Sequence, residues 1–255
     1  MLIRTPVVSD TGALARIHLA ALKGDRLVRL MYKEANHWKA VNAMIERRSS
    51  HIDYKMKMAM TETVDRIAGW ICCCLVDPDI PAQDDLASLE WTTAALHVVE
   101  DAEERLTKSS GRPDEVAERD RRRGIWKAIS DATTEAFSKS PDIASQTRYI
   151  VVNTVVTDIA FQGRGVGSEL LSWATDYADS EEIAIWAQVS PAAFGLFRRA
   201  GFEEVHSVVL DLDAFYYRGV AKEHRAKPDR GNHEIKYMVR KASNRSGVTP
   251  SSLSE

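Results

Sequence analysis

The stretch that most constrains the fold is residues 149–189. It opens with YIVVNTVVT (149–157), an almost unbroken β-branched run of the kind found in a strand buried on both faces. A glycine-rich turn follows, then a helical pattern with Leu170, Leu171, Ala174, Tyr177 and Ala178 on one face. A second apolar run, 183–189, closes the stretch. Strand, turn, helix and strand within about 40 residues read as a parallel βαβ unit, so an α/β chain is expected.

The rest of the chain is read around that unit. Leu2, Ile3 and Arg4 suggest a short strand that stops at Pro6, and Ser9, Asp10 and Thr11 offer N-cap chemistry to the helix that follows. In that helix Leu14, Ile17, His18, Ala21 and Leu22 share a face. Residues 26–32 and 38–47 are expected to be helical, and 56–63 and 66–76 to be strands joined by a tight turn at Val64-Asp65. From about 77 to 147 the pattern becomes helical and highly charged. Trp91, Ala95, Val98 and Ala102 form one apolar stripe and Ile125, Trp126, Ile129 and Ala132 another, while the run 118–123 (ERDRRR) reads as a solvated helix face. A short helix over 192–199 and strands over 203–210 and 234–239, paired with each other, complete the domain. The expected organisation is one domain over 1–240, a helical insertion at about 77–147, and a flexible tail over 241–255.

Composition narrows the partners. A net charge of −3 over 255 residues supplies no global field for nucleic acid or an anionic membrane. No apolar run approaches the roughly 18 residues of a membrane helix, and the start lacks a signal-peptide core, so a cytoplasmic protein is expected. The three cysteines are consecutive, Cys72, Cys73 and Cys74. On a strand they alternate faces, which excludes a disulfide framework and argues against structural zinc; with Trp70 they are expected to pack in the sheet. The seven histidines show no ligand spacing, so no metal is expected.

The glycine turn carries the chemistry. Between strand and helix stand Gln162, Gly163, Arg164, Gly165, Val166, Gly167 and Ser168. Glycines at such a place let backbone N–H groups approach a phosphate, and the helix N-terminus adds its dipole. A dinucleotide fingerprint would need glycine where Ser168 stands, and a Walker loop would need Gly-Lys-Ser/Thr, so both of those readings fail. The pattern Gln-x-x-Gly-x-Gly instead resembles the pyrophosphate loop of the GNAT (Gcn5-related) N-acyltransferases. Downstream, SPAAFGLFRRAGF (190–202) is similar to that family's next motif.

The resemblance implies a mixed, splayed β-sheet flanked by helices, with acetyl-CoA as co-substrate and no metal. It places the pantetheine arm along Val155, Val156 and Thr157 and the pyrophosphate on the backbone of 162–168, with Arg164 at the rim. Ser190 takes the position of an asparagine that bonds the pantetheine in many members, and Ala193 and Phe197 would line the thiol end. Phe197 also stands where the family commonly carries a tyrosine acid, so a phenol from Tyr149, Tyr216 or Tyr217 would have to substitute, or the thiolate would leave unaided. The catalytic candidates are Asn153 and Glu62: the long strand carries Asn153 in place of a carboxylate, so a base would come from Glu62, a histidine or a chain of waters. The implied function is transfer of an acyl group from the CoA thioester to a small-molecule amine. The alternatives are O-acylation, thioester cleavage, or a non-catalytic acyl-CoA-binding or partner-binding module. Oligomeric state is not legible.

Overall fold

A computed structural model describes residues 1–31, 38, 41–43, 45–46, 48, 54–61, 66–77, 113–217 and 231–243. The helices whose full extent falls within the described residues are α1 (Thr11–Leu22), α2 (Arg26–Met31), α3 (Pro113–Ser138), α4 (Pro141–Ala144), α5 (Val166–Ser180), α6 (Phe194–Arg199) and α7 (Leu212–Tyr216). The strands are β1 (Leu2–Arg4), β2 (Tyr54–Met60), β3 (Ile67–Val76), β4 (Tyr149–Thr157), β5 (Ala184–Val189), β6 (Glu203–Asp211) and β7 (Asn232–Arg240). They form one sheet in the order β1-β2-β3-β4-β5-β7-β6. Among the described strands only β4 and β5 are parallel, joined by α5 as the crossover that the βαβ pattern required. No described helix is long and apolar enough to cross a membrane.

Each face of the sheet is covered. On one side Leu170, Leu171, Ala174 and Ala178 of α5 and Phe197 of α6 pack against Ile71, Cys73, Ile150, Val152, Ile185 and Ala187. Leu170 and Leu171 are wholly buried, and burial of each such side chain contributes about 1.5–3 kcal/mol. On the other side α1 lays Leu14, Ala15 and Ile17 on Met58, Trp70 and Cys72. Further along that side α2, α3 and α7 cover Tyr149, Trp186 and Tyr237. The Trp70 indole is satisfied by donating to the Leu14 carbonyl at 3.1 Å. Cys72 and Cys73 do point to opposite faces.

Four features differ from the sequence reading. Asp10 does not cap α1 with its side chain. Its carboxylate accepts from Arg4 at 2.9 and 3.2 Å and from the Val7 N–H at 2.8 Å. Burial alone would raise its pKa, but these bonds and the nearby charge outweigh burial and hold it low. The 118–123 run is not simply solvated, because Arg122 is buried and the Arg121 guanidinium lies 4.7 Å from the Tyr216 ring. The domain does not end at 240: Lys241 pairs with Asp142 at 3.0 Å, and the Ser243 N–H donates to Asp179 at 2.7 Å. Finally, β4 is buried on both faces only in its first half. The Val64-Asp65 turn, the Trp91 stripe and the tail from 244 lie outside the described residues.

The cysteines give a direct check of this packing. Burial pushes the Cys72 thiol up to about 11, despite the opposing influence of Arg48, and lifts Cys73 well above the usual range. The thiolate is the reactive form, so a raised pKa leaves almost none at about pH 8. The folded protein is therefore expected to give no reaction with a disulfide reagent at that pH, and the denatured chain all three equivalents. A thiol titrating in the native state would contradict the buried placement.

Candidate functional site

The site begins as a fault in the sheet. Along the β3–β4 ladder Cys72 opposes Thr154 while Cys73 opposes Val152, so Asn153 is an extra residue, a β-bulge in β4. Bulges bend and twist the strand that carries them. The parallel ladder from β4 to β5 covers Tyr149–Val152 against Ala184–Ala187 and stops there. Beyond that last pair the strands diverge, and the β5-facing edge of residues 153–157 has no ladder partner. Backbone N–H and C=O groups on such an edge are available to pair with an extended ligand. At the mouth of the opening, Asn153 Oδ1 and Gln188 Oε1 are buried with no hydrogen-bond partner among the described residues.

The end of β4 feeds the glycine turn. The Asp158 N–H donates to the Ala68 carbonyl at 2.8 Å, its side chain accepts from the Ala160 N–H at 2.8 Å, and Arg66 pairs with it at 3.1 Å. A short 3-10 turn, Ile159–Phe161, then leads to Gln162, whose Nε2 donates to the Thr157 carbonyl at 3.3 Å. Gly163 (φ 73°) and Gly165 (φ 85°) are left-handed, the region that L side chains rarely adopt. Gly165 is the N-cap residue of α5, so the N–H groups of Val166, Gly167 and Ser168 have no acceptor within the helix. Residues 162–165 are exposed, and a Cβ added to Gly163 or Gly165 would meet nothing within 4 Å. Free N–H groups, a helix dipole and open space suit an anion such as a phosphate.

Close contacts fix where this loop sits. A Cβ on Gly69 of β3 would lie 2.6 Å from the Val156 carbonyl oxygen and 3.0 Å from Val166 Cγ1. A Cβ on Gly167 would lie 3.2 Å from Leu196 Cδ2 of α6 and 3.5 Å from Thr157 Oγ1. The end of β4, the start of α5 and α6 therefore converge at one place.

The sequence candidates divide accordingly. Val155 and Thr157 lie on the open edge with Val156, whose side chain packs into the α1 core while its backbone stays on that edge. Gln162, Gly163, Arg164, Gly165, Gly167 and Ser168 form the loop; Val166 contributes its N–H while its side chain is buried. Arg164 holds its guanidinium 5.7 Å from the Phe161 ring, and Arg66 lies 5.2 Å from the same ring. The Ser190 carbonyl accepts from the Ala193 and Phe194 N–H groups, which starts α6. Phe197 is 3% exposed, edge-on to Phe202 at 5.0 Å, so it faces the core and not an open wall. Tyr149 sits at the closed end of the β4–β5 ladder against Phe137, and burial raises its phenol pKa. Tyr216 and Tyr217 are edge-on to each other at 4.8 Å, with Tyr216 under Arg121. Glu62 lies outside the described residues. Sequence reasoning missed Gln188; the signal was there, a single polar residue within AIWAQV. A surface hollow of about 320 Å³ lies between α5 and β1, lined by Ile3, Glu169, Ser172, Trp173, Asp176 and Tyr177.

Two glycine variants test this geometry. Gly165→Ala is expected to cost about 1–2 kcal/mol from its left-handed backbone alone, since the added methyl has free space. Gly69→Ala is expected to cost about 1–3 kcal/mol from the clash with Val156. Denaturant melts read both, and an unshifted midpoint for Gly165→Ala would contradict the turn described.

Comparison with known proteins agrees with this arrangement. Residues 116–202 match the model of the acetyltransferase (GNAT) family, a span that takes in most of α3, which was read from the sequence as insertion, together with the loop and α6. No curated protein matches the sequence. Among solved structures, a mosquito arylalkylamine N-acetyltransferase-like 5b is similar at 13% identity, TM-score 0.55, over 94% of this chain and 99% of that one. An insect putative arylalkylamine N-acetyltransferase 7 from the yellow fever mosquito is similar at 13% identity, TM-score 0.59, over 94% and 86%. A Drosophila melanogaster polyamine N-acetyltransferase, which forms N-acetylagmatine, is similar at 14% identity, TM-score 0.54, over 94% and 99%. At such identities these likenesses establish the fold. The splayed sheet and the glycine loop at the start of α5 thus lie in a fold shared with these N-acetyltransferases, and the acetyltransferase (GNAT) family model matches the third of the chain that carries both motifs.

Proposed function

We propose that this protein transfers an acetyl group from acetyl-CoA to the amine of a small molecule. The observation that carries the reading is the union of two features in one cleft: an unpaired β4 edge beside a helix N-terminus with free N–H groups. A CoA thioester has matching parts, a pyrophosphate for the loop and an amide-bearing arm for the edge. Its thioester carbon supplies the electrophile. Net, a C–N bond forms, the C–S bond breaks, and one proton from the amine ends on the sulfur.

The chain's own contribution is placement. Gly163, Gly165 and the N–H groups of 166–168 hold the diphosphate, with Arg164 at the rim. Val155, Val156 and Thr157 align the arm through their backbone, and Ser190 and Ala193 border its inner end. Phe197 carries no exchangeable proton, so it supports the wall by packing and the thiol leaves without a phenol at that position; an intrinsic thiol pKa of about 8.5 makes this tolerable. Asn153 stands nearest the amine, with Glu62 as a second candidate. α3 packs on the same side of the sheet as Trp186 and Tyr237, where it would border the acceptor. Acceptors of the kind named for the similar structures, arylalkylamines and agmatine, form the first panel to try. We also place the protein in the cytoplasm, in keeping with its three free, buried thiols.

Acceptor-dependent release of CoA from acetyl-CoA is the expected result. Tight CoA binding without release, across the panel, would favour the non-catalytic module that the missing phenol at Phe197 allows. Phe197→Leu is expected to keep turnover within about 10-fold while losing about 1–2 kcal/mol of stability from the smaller core side chain. A loss beyond about 100-fold with CoA affinity intact would show that this ring takes part in the chemistry.

A further inference from the structure

The two orphaned carbonyl oxygens at the mouth of the cleft have a direction. Gln188 lies between Ala187 and Val189, which both belong to the α5-side core, so its side chain leaves on the opposite face. Val152 is likewise on the α5 side. Asn153, the bulged residue after it, leaves with Thr154 toward the face where Thr154 Oγ1 accepts from Arg48 at 3.3 Å. Val152 and Ala187 are the last ladder pair, so Asn153 and Gln188 are the first residues past it on the two strands, one on each side of the opening. Across the other edge of β5, Gln188 pairs with Tyr237, whose ring is fully buried and whose hydroxyl is engaged with Ile129 and Thr133. The result is two buried carboxamide oxygens beside an apolar wall, at the junction between the open edge and the α1 and α3 side.

A buried acceptor without a donor destabilises the fold, so one on each side of the same opening calls for a ligand that brings donors. Resting on the proposed acyl transfer, we propose that Gln188 and Asn153 receive the two N–H groups of a primary amine acceptor through their side-chain carbonyl oxygens. Two hydrogens held in this way leave the nitrogen lone pair and the carbon substituent as the remaining directions, one toward the thioester carbon and one toward α1 and α3. A carboxamide accepts a hydrogen bond but takes no proton, so neither side chain is the base, and the amine reacts once its third proton has been lost to solvent. The proton lost on forming the C–N bond passes to solvent and is made up at the departing sulfur. The pair therefore selects primary over secondary amines, since an N-methyl amine has one N–H for two oxygens.

The test uses full-length protein, acetyl-CoA, and 2-phenylethylamine against its N-methyl derivative, in wild type, Gln188→Met and Asn153→Leu. Wild type is expected to prefer the primary amine in kcat/KM. Gln188→Met, apolar and of similar volume, is expected to lower kcat/KM for the primary amine about 10-fold or more and to shrink the preference. Its CoA affinity by calorimetry stays within about twofold, and its melting temperature rises, because an unsatisfied buried oxygen has gone; a merely structural glutamine would lower it. Asn153→Leu is expected to show the same kinetic pattern. Unchanged kcat/KM and preference in a folded Gln188→Met overturns the inference and leaves the proposed function standing. A parallel loss of CoA affinity also overturns it, by assigning the oxygens to the pantetheine arm. Wild-type protein that binds CoA but acetylates neither this amine nor any other in the panel defeats the proposed function, and the inference with it.

Discussion

The extra residue in β4 is the constraint on which the rest of the structure depends. Because Asn153 is inserted between the residues opposing Cys72 and Cys73, β4 cannot stay parallel and paired with β5 beyond Val152. The sheet remains continuous at Tyr149–Val152 and open beyond it. The same bulge changes which residues face which layer: Ile150 and Val152 pack toward α5, while Val156 packs toward α1. One irregularity thus creates the cleft, frees a strand edge, and sends Asn153 to the mouth. In a central strand such an irregularity costs ladder hydrogen bonds, and its presence beside a glycine loop is the pattern expected where a ligand restores them.

The loop at the start of α5 is held as firmly as the cleft is open. Gly69 lets β3 approach Val156 and Val166, and Gly167 lets α5 approach Leu196 and Thr157, so the helix N-terminus cannot drift from the end of β4. Asp158, with its bonds to Ala68, Ala160 and Arg66, fixes the turn between them. Gly163 and Gly165 serve a different purpose, since neither is crowded and both are left-handed. Rigid anchoring around an exposed ring of N–H groups is preorganisation for an anion, with the ordering cost met during folding.

Much of this was legible in the sequence because it is local. The βαβ unit, the glycine spacing from Gln162 to Ser168 and the SPAAFGLF segment are contiguous, and turn chemistry and helix phasing act over a few residues. The bulge was hidden because YIVVNTVVT is apolar on either side of Asn153, so a one-residue change of phase leaves no mark in the pattern. Asp10 went to Arg4 and Val7 instead of the helix start because a tertiary ion pair competes with a local cap. Arg121 and Arg122 read as solvated in a charged run, yet Arg122 is buried and α7 folds back on Arg121 through Tyr216. Gln188 was passed over although a lone amide in AIWAQV is costly to bury; only the end of the ladder with β4 shows that it opens onto a cleft.

The account stands on ligand pairing along β4, and the structure of the complex with CoA tests that most directly. Crystals grown with CoA are expected to show the diphosphate against the N–H groups of residues 163–168 and the pantetheine amides bonded to the backbone of residues 153–157, with β5 still splayed away. CoA ordered elsewhere on the surface, or β4 and β5 zipped together beyond Val152 and Ala187, would contradict it.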